Sequence, residues 1–143
     1  MPRIEAHLAA VEENLAAYKA MPEAHPGWRA VMLFYAAVHL VEADCALSNR
    51  HHHEHVEREQ YIRATYGKTF WQHYSRLKNE AQKARYLVLD PFHRSAAFVG
   101  KTMFSLTAEQ VHNQLYLMAY CPLRDFLKAR IATVQSSAAK AKD

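Results

Sequence analysis

WRAVMLFYAAVHLVEADCAL, residues Trp28 to Leu47, is apolar almost all the way round when wound as a helix at 100° per residue. Phe34, Val38, Val41 and Cys45 form one flank, and Leu33, Ala37 and Leu40 another. Such a helix belongs in the middle of a bundle, where other helices cover every side. One stripe departs from the pattern: Trp28, Met32, Tyr35, His39, Glu42 and Ala46 share a face, which puts an imidazole and a carboxylate one turn apart. A buried carboxylate left alone is costly, so Glu42 needs a partner from elsewhere in the chain.

Outward from this helix, Met21 to Gly27 contains Pro22, Pro26 and Gly27 and forms a turn. Before it, Ile4, Leu8, Val11, Leu15 and Tyr18 recur at spacings of four and three, an amphipathic helix over residues 3–20. After it, Ser48 and Asn49 end the central helix, and a third, partly exposed helix is expected from about His52 or His53 to Ala64. Thr69 to Tyr86 reads as a fourth helix whose inner face carries Phe70, Tyr74, Leu77, Ala81, Ala84 and Arg85, with Lys78, Glu80, Gln82 and Lys83 opposite. Leu87 to Leu106 has no sustained period and reads as an excursion that packs through its apolar residues. Thr107-x-x-Gln110 is a capping-box pattern opening a last helix with Val111, Leu115, Met118 and Ala119 inward. Pro122 lies inside that helix and predicts a kink. The expectation is one all-α domain over residues 1–134, an up-and-down bundle of four to five helices, followed by a flexible tail over residues 135–143.

The composition is that of an ordinary globular domain: half of the 143 residues are apolar and 22% are charged. The uncharged run between Arg29 and Glu42, residues 30–41, is twelve residues and includes His39, too short and too polar for a bilayer span. The start of the chain is acidic and lacks the apolar core of a signal peptide, so a cytoplasmic protein without membrane partners is expected. Cys45 and Cys121 stand singly in apolar helical contexts and read as reduced thiols. A formal charge of +4 suits an anionic partner without identifying one.

Chemistry can enter in three ways. Arg50-His51-His52-His53-Glu54-His55 is the most conspicuous string, and on a helix His51 and His55 would stand one turn apart, a spacing that suits a transition metal. Glu109-x-x-His112 and a reversed His39-x-x-Glu42 add metal-type ligands, so a metal reading draws on His51, His55, Glu109 and His112. A structural reading pairs His39 and Glu42 with Arg58 or Arg85, whose guanidinium forks onto a carboxylate. A third reading places the same groups around a phosphate: a histidine as general acid or base and an arginine opposite the developing charge suffice for metal-free RNA cleavage. His39, His55 and Arg58 are then the catalytic candidates, and Glu42, Arg85 and Tyr86 line the substrate. No Gly-rich phosphate loop and no G-x-S-x-G occurs, and no cofactor is expected.

W-x6-Y-x3-H-x2-E-A (Trp28, Tyr35, His39, Glu42, Ala43), then His55-x2-Arg58, then Tyr74-x2-Leu77 and Ala84-Arg85-Tyr86, resembles the small bacterial and archaeal HEPN-domain proteins. The resemblance covers residues 4–86 and, more loosely, the last helix. It implies a helical bundle, often a homodimer, in a family of toxin ribonucleases, partners of minimal nucleotidyltransferases, and non-catalytic binders of RNA or nucleotides. The active ribonucleases of that family carry Arg-x4-6-His late in the domain. Here Arg50-x4-His55 has the spacing but stands at the start of the third helix.

Overall fold

A computed structural model of the chain describes residues 3–87 and 104–142, with the backbone alone for residues 86, 87, 141 and 142. The described residues form an all-α bundle of five helices and contain no strand. Helix α1 is Ile4–Ala20, α2 is Pro26–Leu47, α3 is His55–Thr65 and α4 is Lys68–Gln82, which continues as a π-helical turn, Lys83–Leu87. Helix α5 covers residues 108–142 and is built from an α turn, Ala108–Gln110, a π-helical stretch, Val111–Tyr120, and an α segment, Cys121–Lys142.

α2 is the centre of the bundle, packed against α1, α4 and α5. Pro26 fits the first turn, where its missing N–H forfeits no helical bond. Gly27 faces the π-helical turn that follows α4: a Cβ there would stand 3.2 Å from that of Ala84. By length and composition α2 could cross a bilayer, although the uncharged run inside it is too short. In the fold, 72% of its most apolar stretch is buried by the other helices. Leu33, Leu40, Val41 and Cys45 are fully buried, together with Ile62, Tyr74, Leu77, Leu115 and Leu127 from the helices around them.

The end of α2 aims the rest of the site. Asn49 takes a left-handed φ of 56°, a conformation asparagine tolerates better than most residues. Its N–H donates to Ala46 O and that of Arg50 to Cys45 O, the paired bonds of a Schellman turn. The chain then doubles back along α2, and α3 begins only at His55, so His51, His52 and His53 are not helical. The expected start at His52 or His53, and with it the one-turn spacing of His51 and His55, is corrected. Gly67, at φ +92°, supplies the second reversal, into α4.

In α5 the capping box is complete: Gln110 N donates to Thr107 Oγ1 at 3.1 Å, and Thr107 N to Gln110 Oε1 at 2.9 Å. A π stretch, Val111–Tyr120, ends just before Pro122, the residue at which the sequence predicts a kink. In an α turn the proline ring would press on the carbonyl of Met118, and a wider turn relieves that contact. Each wider turn also holds more residues, so Val111, Leu115, Ala119 and Tyr120 face inward and Met118 is 67% exposed, not inward as the α period suggests. Beyond Ile131 nothing is buried through Lys140, and the helix continues to Lys142. The alanines and lysines of this segment are good helix formers, which accounts for it. Glu80, expected on the outer side of α4, is buried and bonds to Lys83 at 3.2 Å. The expected excursion, Leu87 to Leu106, lies mostly outside the described residues.

Candidate functional site

The polar stripe of α2 organises the site, and each of its residues is met by a different part of the chain. At Tyr35 the hydroxyl accepts from Arg85 NH1, and the guanidinium carbon lies 5.5 Å from the ring centroid. One turn on, His39 Nδ1 stands 3.3 Å from Nδ1 of His7 on α1. Next, Glu42 accepts from Arg58 Nε at 2.8 Å. Both members of this pair are buried, Glu42 at 3% exposure and Arg58 at 6%.

The returning chain closes over Glu42. His51 Nδ1 is 3.6 Å from Oε2, His52 Nδ1 is 3.6 Å from Oε1, and the His52 N–H points at Oε2 at 3.4 Å. Arg58 uses its remaining nitrogens on the same loop and helix: NH2 donates to His52 O at 3.2 Å, and NH1 to His55 Nδ1 at 3.0 Å. An arginine can only donate, so Nδ1 of His55 must be the unprotonated nitrogen, and the ring N–H sits on Nε2. Part of the His55 ring is exposed while the rest is enclosed, stacked 6.2 Å from Phe34. That enclosure, then the Arg58 charge, holds its pKa below the ordinary imidazole value, with Lys78 and Arg85 adding and Glu59 opposing. Burial likewise lowers His7 and His39, reinforced by His39 beside the former and by Arg58 beside the latter. At neutral pH all three rings are therefore neutral.

On the far side of Arg58, residues Phe34, His55, Lys78, Ala81, Gln82 and Arg85 line a pocket of about 60 Å³, room for one small group. Lys78 is also paired with Glu59. The fold thus gathers His39, Glu42, His55, Arg58 and Arg85 along one stripe of α2. Tyr86 stands in the π turn, and its side chain lies outside the described residues. The metal set His51, His55, Glu109 and His112 does not converge: His112 Nδ1 bonds to the Tyr18 hydroxyl at 3.1 Å, and Glu109 lines a separate groove with Glu23 and Arg29.

Two features escape sequence reasoning. His7 is buried on the inner face of α1, where its position four residues before Val11 is the available signal. Asp44, on the opposite flank of α2, is buried and accepts from the Tyr66 hydroxyl and, at 3.0 Å, from Arg130 Nε. This second clamp ties α5 to α2 and α3. No family model, curated protein or solved structure gives a match to the chain.

Proposed function

We propose that this chain is a HEPN-like helical protein that binds the phosphate of RNA or of a nucleotide in the pocket between α2, α3 and α4. The pocket itself carries the reading: two cations, Lys78 and Arg85, an imidazole whose N–H is on Nε2, and the Gln82 amide share one small opening beside an aromatic ring. Cations, neutral donors and a ring face are what a phosphodiester with an attached base requires. Binding is better supported than cleavage. Arg58 is committed to Glu42, His52 and His55, and the lone pair of His55 Nδ1 to Arg58, so the candidate base and the candidate charge stabiliser hold each other. Metal-independent ribonuclease activity would require substrate to release that contact. The resemblance adds a homodimer and a nucleotidyltransferase partner as further expectations.

The test is fluorescence anisotropy of a labelled single-stranded oligoribonucleotide, titrated over a range of salt. Loss of Lys78 or Arg85, each to alanine, is expected to weaken binding and to lower the log–log salt slope by about 0.7 per phosphate contact removed. Binding that both variants leave unchanged would overturn the reading. Incubation of RNA in the presence of a chelator separates the two activities: cleavage that His55→Ala and Arg58→Ala abolish identifies an enzyme, and intact RNA a binding module.

A further inference from the structure

We propose that His7, His51 and Glu42 form a binding site for a divalent transition metal, on the side of Arg58 away from the phosphate pocket. One donor atom from each of the three lies within 4.8 Å of the other two. His51 Nδ1 and Glu42 Oε2 are already 3.6 Å apart, close to the roughly 3.4 Å that separates two ligands of a tetrahedral ion with bonds of about 2.0–2.1 Å. Three protein ligands leave a fourth position for water or an anion.

The second observation is independent of this convergence. His7 is only 6% exposed, and its Nε2 is buried without a hydrogen-bond partner among the described residues. A buried polar atom of that kind calls for a bound species or a cost. The surroundings match what a metal site needs one layer out. His7 Nδ1, 3.3 Å from His39 Nδ1, can give its proton to His39, which fixes the tautomer that leaves the Nε2 lone pair for the ion. Arg58 takes Oε1 of Glu42, and Oε2, which receives the His52 N–H at 3.4 Å, keeps a second lone pair to coordinate. The mixed nitrogen and oxygen set suits zinc or cobalt(II), and it differs from any set the histidine string alone could form, because His7 comes from α1.

Equilibrium dialysis of the untagged full chain against Zn²⁺, followed by elemental analysis, is expected to give one ion per chain. Visible spectra with Co²⁺ are expected to show tetrahedral nitrogen and oxygen ligation. His7→Gln and His51→Ala should each weaken binding by more than the roughly 10–100-fold that loss of an outer-layer partner costs, and His39→Ala by about that range. His53→Ala should leave it unchanged. Circular dichroism and melting with and without Zn²⁺ check folding. If His7→Gln unfolds, His51→Ala, altered in a loop, still decides. Substoichiometric zinc overturns the proposal. So does binding that survives both substitutions but falls with His53→Ala, as a surface histidine tract would give. Thiolate-to-cobalt charge transfer also overturns it, by placing the ion on Cys45 with Glu42 and His52, whose donor atoms are similarly close. RNA binding through Lys78 and Arg85 is measured separately, so either reading can fail alone.

Discussion

Replacing Arg58 by alanine would remove three hydrogen bonds at once: to the Glu42 carboxylate at 2.8 Å, to His55 Nδ1 at 3.0 Å and to His52 O at 3.2 Å. The greater part of the cost lies in what remains. Glu42, at 3% exposure, would keep the His52 N–H at 3.4 Å and two neighbouring imidazoles in place of a guanidinium. Breaking a buried pair from one side typically costs about 3–5 kcal/mol, because the stranded charge loses its solvation without a counter-ion. For a domain of this size each kcal/mol corresponds to about 3 °C, so the melting temperature should fall by about 10–15 °C. Urea titrations at pH 7 on wild type, Arg58→Ala, Arg58→Met, Glu42→Leu and the double variant Arg58→Met with Glu42→Leu form the assay. Each single change is expected to be severe and the double change mild, since well-packed apolar pairs often replace a buried ion pair at little cost. An Arg58→Ala variant less than about 1 kcal/mol below wild type, or single effects that simply add, would refute the claim that this clamp fixes how α2, the returning loop and α3 meet.

Tyr66→Phe deletes the hydroxyl that donates to the buried Asp44 carboxylate, and it should cost about 1.5–3 kcal/mol in the same titration. Stability should also depend on pH. His7, His39 and His55 have folded pKa values below the ordinary value near 6.5, so between the two the unfolded chain binds more protons. The urea midpoint is therefore full above about pH 6.5 and declines as pH falls through the folded values. A histidine NMR titration that puts His7 and His39 at or above 6.5 would contradict this. Cys45, fully buried, has its thiol pushed up to about 12 by burial and then by Glu42 and Asp44. Native protein should accordingly resist alkylation at Cys45 near pH 8, with modification appearing only on unfolding, as mass spectrometry of labelled peptides would show.

The order of amino acids alone determined the central place of α2, the turn before it, the capping box at Thr107 and the demand of Glu42 for an arginine. Each is a local property: helical period, a proline at an N-terminus, a hydroxyl three residues before a glutamine, a charge on an apolar face. The tertiary structure decided which arginine answers Glu42. Arg58 takes the carboxylate and Arg85 goes about two turns back along α2 to Tyr35, because α3 delivers the one and the π turn after α4 the other. It also decided that His51 and His52 lie over Glu42 and that His7 stands beside His39. Those meetings depend on a left-handed Asn49 that turns the chain back and on the rotation of α1 against α2, neither of which has a periodic signature. The same holds for the π stretch that turns Met118 outward. Local sequence sets which groups must be satisfied; only the packing of separate segments sets which groups satisfy them, and hence where a site can form.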